Sequence, residues 1–170
     1  HPVYTPLILD LLDQYEAKAF FFVIGEHAEK MPLLLQEIRA RGHRIGNHSW
    51  SHDPYFDFFS VNKMVDEIKR TNEVIEKITG VKPVYFRPPF GITNPRIAKL
   101  LHKTGMKSVS WSYRSYDTKS RSNERIVAEI QKKIEGGEIL LFHDPIPRTF
   151  VILKEILPWL KEKYTFQGNI

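Results

Sequence analysis

The sequence predicts an α/β domain on a parallel sheet, either open or closed into a barrel, and three observations carry that prediction. Short apolar runs alternate with segments of helical periodicity, the pattern of repeated β–α units. Glycines stand where the helical periodicity stops, at Gly42, Gly80, Gly105 and Gly136–Gly137, and glycine is the residue that most readily closes a helix. The histidines, arginine and aspartates of greatest chemical interest follow the apolar runs, and parallel α/β folds gather functional side chains at the carboxyl ends of their strands.

Taken in order, Thr5 is placed to cap an opening helix with Pro6 at its first position, and Leu7, Ile8, Leu11, Leu12 and Tyr15 form its apolar face. AFFFVIG is a continuous apolar run of the kind found in buried parallel strands. A helix is expected from about Ala28 to Ala40, ending near Gly42, and a short strand, HRIGN, then leads into a histidine pair. Val61, Met64, Val65, Ile68, Ile75 and Ile78 mark one long amphipathic helix that stops at Gly80. PVYFR reads as the next strand, Asn94 and Pro95 start a helix that ends near Gly105, and MKSVSW is again a strand. Ile126, Val127, Ile130 and Ile134 mark a helix closing at Gly136–Gly137, EILLFHD is a strand, Pro147 to Lys163 a helix, and YTFQ a last short strand. About six strands result. No linker, repeat or low-complexity stretch intervenes, so residues 1–170 read as a single domain. The chain opens on a helix, whereas β–α architecture places a strand before it, so a first strand is expected to be missing.

Of the 170 residues, 42% are hydrophobic, enough for a sizeable core. The 25 basic and 20 acidic residues are interleaved, as in DEIKRTNEVIEK, which describes solvated helix faces rather than a nucleic-acid footprint. The absence of cysteine excludes disulfides and thiolate metal ligands. No apolar run reaches the ~20 residues of a membrane span.

The chemistry begins at GNHSWSHDPY, where His48 and His52 are four residues apart and face one way on a helical turn, as two metal ligands do. The residues between them, Ser49-Trp50-Ser51, include no glutamate, so this is not the H-E-x-x-H of a zinc protease and a base has to come from elsewhere. RPPFG is either only a rigid turn or a turn whose Arg87 orients a carboxylate bidentately. His143 is either a satisfied core histidine or a general acid suited to proton transfer near neutrality. Asp117 is either a turn residue or the partner that orients such an imidazole and favours its protonated form. His1, His27, His43 and His102 lie outside this cluster and read as surface.

Together these segments resemble the polysaccharide deacetylase family (carbohydrate esterase family 4, the NodB homology domain) over essentially the whole chain. GHRIGNHSWSH resembles its H-[ST]-x-x-H metal motif, FRPPFG its R-x-P-[YF]-G motif, WSYRSYD the segment ending in Asp-Trp, and LLFHD its L-x-H motif. The resemblance implies a distorted (β/α) barrel with about six to seven parallel strands. It implies a divalent metal, first Zn²⁺, with Co²⁺, Ni²⁺ or Mn²⁺ as alternatives, held by His48, His52 and an aspartate, with a second aspartate as base. In the family both aspartates lie in a T-F-D-D-G-P motif that precedes a segment like HPVYTP. Third ligand and base are therefore expected upstream of His1, and this chain alone is expected to have little activity.

The resemblance further implies that His143 protonates the leaving group, Asp117 tunes His143 and Arg87 orients the base. The Phe90 backbone N–H would share the oxyanion, and Pro89 and Leu141 would line an acetyl pocket. Three positions depart from the family: Arg114 replaces the first acidic residue of the fourth motif, Thr118 replaces the tryptophan after Asp117, and Phe90 stands where tyrosine is common. The implied function is metal-dependent removal of acetyl groups from an N- or O-acetylated polysaccharide or oligosaccharide. Two alternatives are a non-catalytic carbohydrate-binding relative and an α/β domain with incidental histidines. The implied partner is an acetylated glycan, with no nucleic acid and no membrane span; the protein is expected to be a monomer, and extracytoplasmic or in the cell envelope.

Overall fold

The computed structural model describes residues 1–167, and the chain divides into two compact units. The first, Phe20–Ser110, holds a parallel sheet of β1 (Phe20–Val23), β2 (Arg44–Asn47), β3 (Tyr85–Phe86) and β4 (Lys107–Ser108), in that order. Val23 stands opposite Asn47, and Asn47 opposite Phe86. That register brings His48 and Arg87, the next residue on each strand, out side by side at the carboxyl edge.

The helices of this unit are α2 (Gly25–Lys30), α3 (Pro32–Ala40), α4 (Val61–Thr79) and α5 (Pro95–Thr104). The single helix expected from Ala28 to Ala40 is two. Pro32 starts α3, and the residue before a proline is pushed out of helical geometry, as Met31 is at φ −129°, ψ 55°. The long helix α4 is as expected: Ser60 caps it by accepting the Lys63 N–H at 3.3 Å, and Gly80 ends it at φ 71°. Asn94 caps α5 through the Arg96 and Ile97 N–H groups, and Gly105 closes it at φ 68°. Met64 and Ile68 of α4 pack with Phe56, Phe86, Ile97, Leu100 and Met106 into one core cluster. His43 is fully buried, edge-on to Phe21 at 5.4 Å, and is not the surface residue expected.

The second unit joins His1–Ala19 to the residues from Trp111 onward. It contains α1 (Tyr4–Gln14), β5 (Tyr113–Arg114), α6 (Asn123–Lys133), β6 (Leu140–Leu141) and α7 (Pro147–Lys163). β5 and β6 pair in parallel, and α7 packs on both α1 and α6. Thr5 is not a cap. Val3 holds that position, while Thr5 is buried in a stripe with Ile8, Leu9 and Leu12, spaced i, i+3, i+4 and i+7 as a helix face requires. Leu7 is exposed, and Leu9 takes its place in the core. YTFQ is not a strand: the Tyr164 hydroxyl donates to the Ile134 carbonyl at 2.7 Å and closes the end of α7 onto the end of α6.

The barrel of six to seven strands is corrected. Among the described residues the sheet has four strands, β5 and β6 form a separate pair, and no closure is present. One physical reason is visible past β4. The Arg87 guanidinium takes the carbonyls of Val109 and Ser110, each at 3.0 Å, so a side chain occupies acceptors that a longer strand ladder uses. No helix among the described residues is long and apolar enough to cross a membrane.

Candidate active site

The histidine pair is held by a loop, not by the helical turn that its spacing suggested. Asn47, fully buried at the end of β2, accepts the Ser49 N–H at 2.8 Å and donates to the Ile68 carbonyl at 2.9 Å and to Asn72 at 2.7 Å. Ser49 and His52 both take left-handed backbone conformations, at φ 66° and 52°, uncommon for residues with a Cβ and a mark of functional sites. The Ser49 hydroxyl accepts the His52 N–H at 3.0 Å. The imidazole centroids end 4.7 Å apart.

Two helices grip the residues between the histidines. From the start of α2, the Gly25 and Glu26 N–H groups donate to the Ser49 and Trp50 carbonyls at 3.0 and 3.1 Å. From α4, one Glu67 carboxylate oxygen accepts the Trp50 and Ser51 N–H groups at 2.9 and 3.0 Å, and the Ser51 hydroxyl adds a third bond. Gly25 is required by closeness: a Cβ there would lie 2.4 Å from the Trp50 ring. The Arg70 guanidinium covers that ring at 3.4 Å. Glu67→Ala is expected to lower stability by about 1–3 kcal/mol, since two backbone donors lose their acceptor. Glu67→Gln, whose amide oxygen can accept the same two N–H groups, is expected to keep most of it. Urea unfolding of both variants reads the difference, and equal losses would show that the charge matters and the acceptor geometry does not.

The His48 Nδ1–H donates to the Arg87 carbonyl at 2.6 Å, and in the neutral ring this puts the lone pair on Nε2. Arg87 is buried, its guanidinium 4.2 Å above the Phe22 ring. Burial lowers its pKa to about 10, so it remains charged at neutral pH. The turn Pro89–Gly91 follows, with Phe90 left-handed at φ 57° and its ring 4.8 Å from that of His52. Pro89 is buried beneath the turn.

In the other unit, Asp117 is 1% exposed. One of its oxygens meets His143 Nδ1 at 2.8 Å; the other accepts the His143 backbone N–H and the Thr149 hydroxyl, each at 2.7 Å. Burial pushes the Asp117 carboxyl up, but hydrogen bonds from His143 and Thr149 and the His143 charge outweigh it, and the net shift is downward. The carboxylate orients the His143 ring, with Nε2 as the nitrogen available to a substrate. Leu141 is buried in β6, two residues before His143.

The expected residues thus fall into two groups: His48, His52, Arg87, Pro89 and Phe90 in one unit, Leu141, Asp117 and His143 in the other. Sequence reasoning missed Asn47, Glu67 and Thr149. Thr71 and Asn72, polar residues on the otherwise apolar face of α4, are the signal that something polar is held there. For a divalent ion the His48–His52 pair suits two coordination positions, with one ring's tautomer fixed by a carbonyl as metal-binding histidines require. No group of three His, Cys, Asp or Glu side chains gathers into a ligand set among the described residues.

A family profile described as polysaccharide deacetylase matches residues 1–109, the segment that carries both histidines and the RPPFG turn. The chain belongs to the polysaccharide deacetylase family. Within that family it is 36% identical to a peptidoglycan-N-acetylglucosamine deacetylase of Bacillus cereus, over 95% of this chain and 78% of the relative. It is 34% identical to the peptidoglycan-N-acetylmuramic acid deacetylase PdaC of Bacillus subtilis, over 99% of this chain but only 34% of PdaC. A PdaC structure superposes with a TM-score of 0.90 at 32% identity, covering 98% of this chain and 81% of that one. Another polysaccharide deacetylase relative, a carbohydrate esterase family 4 pseudoenzyme of Bacillus anthracis, superposes with a TM-score of 0.86 at 29% identity, covering 94% of this chain and 56% of that one.

Proposed function

We propose that this chain is the catalytic domain of a metal-dependent deacetylase acting on an acetylated cell-envelope glycan, with the amide of an N-acetylated amino sugar in peptidoglycan as the first candidate bond. The observation that carries the reading is the His48–His52 pair, clamped by α2 and α4, with His48 turned by the Arg87 carbonyl so that Nε2 bears the lone pair. His48 and His52 would hold the ion, Zn²⁺ first because nitrogen ligands suit it, with a carboxylate completing the set. Such an ion supplies Lewis acidity toward an acetyl carbonyl and toward water.

The chain's own residues perform the remaining tasks. His143, held through Nδ1 by Asp117, donates a proton from Nε2 to the leaving amine nitrogen or alkoxide oxygen. The Phe90 backbone N–H donates to the oxyanion that develops on the acetyl group. Pro89, buried at the turn, would exclude water from the acetyl methyl. Arg87, which already donates to Val109 and Ser110, would steady a carboxylate base with its positive charge.

The test is acetate release from peptidoglycan fragments, N-acetylated chitooligosaccharides and acetylated xylan by the full-length protein, with zinc or cobalt supplied. Release from one of the amino-sugar substrates is expected; binding without release from any of the three would establish the second reading. That reading, a glycan-binding relative without catalysis, is favoured by Arg114 and Thr118 in the fourth motif and by the similarity to a pseudoenzyme.

A further inference from the structure

The loop after His52 reads Asp53-Pro54-Tyr55-Phe56-Asp57-Phe58-Phe59. It puts four aromatic rings into five residues, and the fold uses only two of them. Consecutive i to i+3 hydrogen bonds, Phe58 N–H to the Tyr55 carbonyl at 2.9 Å and Phe59 N–H to the Phe56 carbonyl at 3.1 Å, wind this stretch as a 3-10 turn. With three residues per turn, side chains at i and i+3 lie one above the other. Phe56 and Phe59 form the inward pair: Phe56 is 2% exposed and packs on Phe86 of β3, and Phe59 packs against the same cluster. Tyr55 and Phe58 form the outward pair, 68% and 70% exposed.

The backbone beneath the outward pair is fixed. Asn94 donates to the Asp57 carbonyl at 3.1 Å, Arg96 donates to the Phe58 carbonyl at 2.7 Å, and Asp53 accepts the Tyr55 N–H at 2.7 Å. Two large rings are therefore held in water on a rigid mount that gains nothing from exposing them, and neighbouring exposed apolar groups on a fixed backbone are the raw material of a binding surface. The mount begins one residue after His52. Phe90, 56% exposed, also rests its ring against His52.

We propose that Tyr55 and Phe58 are a stacking platform for a pyranose ring of the glycan chain, lying beyond the sugar whose acetyl group reacts. A pyranose has an apolar face of C–H groups that rests on an aromatic ring, and a rim of hydroxyls that needs polar neighbours. The Tyr55 hydroxyl and the carboxylates of Asp53 and Asp57 supply such neighbours in the same loop. One 3-10 turn rises ~6 Å, the scale of a single sugar ring, which suits a saccharide unit better than a broad protein face. The platform follows the histidine pair directly in the chain and would lie next along the bound glycan.

This inference rests on the deacetylase reading, and the experiment separates the two. In the full-length protein, Tyr55→Ala/Phe58→Ala is expected to raise KM for a chitopentaose about 10- to 100-fold, with kcat little changed. Hydrolysis of a small aryl acetate, too short to reach the platform, is expected to be unaffected. Tyr55→Phe/Phe58→Trp is expected to keep the chitopentaose KM within about threefold. Titration with a deacetylated chitosan oligomer, read by NMR shifts of the loop, needs no turnover: wild type is expected to respond and the double alanine variant not, even if no substrate is found. Unchanged chitopentaose kinetics and an unchanged titration would overturn the platform. So would an equal loss on the aryl acetate, which places the rings in the reaction itself, or a change of oligomeric state in the variant, which assigns them to a second copy of the chain.

Discussion

His48→Ala and His52→Ala are each expected to weaken zinc or cobalt binding by the full-length protein more than ~100-fold. Altering only the groups that orient a ligand already costs ~10–100-fold in metal affinity, and on the proposed metal site these substitutions would remove a ligand outright. The clamped loop makes the loss specific. Its left-handed residues, the Glu67 bonds and the α2 bonds are all backbone features that alanine at position 48 or 52 leaves in place. Unfolding midpoints without metal are therefore expected to change little for His52→Ala and to fall modestly for His48→Ala, which loses the bond to the Arg87 carbonyl, while calorimetric metal titration collapses in both. Binding should also weaken as pH falls, because an imidazole must be neutral to coordinate. Metal binding unchanged in both variants would remove the pair from the site and the reaction with it.

Asp117→Asn is expected to reduce deacetylation by ~10²–10⁴, the usual worth of an oriented general acid. The asparagine amide can face His143 Nδ1 with its NH2 group and favour the wrong tautomer, the error that disables a catalytic triad when its aspartate is amidated. His143→Ala is expected to cause a similar loss, and the double variant little more, because the two act as one unit. Asp117→Ala adds an energetic cost of about 2–5 kcal/mol, since the His143 N–H, the His143 ring and the Thr149 hydroxyl all lose their acceptor in a buried place. The pH dependence has a definite sign. The folded-state pKa of Asp117 is depressed, so its contribution is complete above the ordinary carboxylate range, near pH 4, and is lost as pH falls through the lower folded value. The stability gap between wild type and Asp117→Ala should narrow below pH ~4. A gap that instead widened on acidification would contradict the hydrogen-bond assignment.

The sequence was most legible where one local signal sufficed. The spacing of Val61 to Ile78 and Gly80 located α4, and Asn94-Pro95 with Gly105 located α5. Legibility failed where a second signal competed. Pro32 lay inside an apolar periodicity that continued past it, and its effect on Met31 split the helix. Tyr164 has a strand-forming side chain, but its hydroxyl found a helix-end carbonyl. The barrel expectation came from the family resemblance and the count of about six strands from apolar runs, whereas ladders require partners over distance, and Arg87 occupies two of the acceptors. For the site, residue identities carried most of the chemistry: histidines four apart, an arginine before two prolines, and a histidine after an apolar run all stand at strand ends. The supporting residues were invisible because Glu67 lies on a helix 16 and 17 positions from the residues it holds, Ser51 and Trp50, and Thr149 lies on a helix 32 positions from Asp117. A glutamate on an amphipathic helix looks solvated until its donors are placed.

The bond from His48 Nδ1 to the Arg87 carbonyl has a consequence for how the site behaves when emptied. On the proposed metal site, acid would displace an ion by adding a proton to Nε2, and the Nδ1 proton would stay where it is in both states. The ring would therefore remain moored to the second strand-end turn with or without an ion. Chelation or brief acid exposure should leave an empty cradle that refills at once on neutralisation, without a refolding lag. The moored Nδ1 proton should exchange slowly with water and give a resolved downfield imidazole resonance, a direct spectroscopic marker of the docked ring in the metal-free protein.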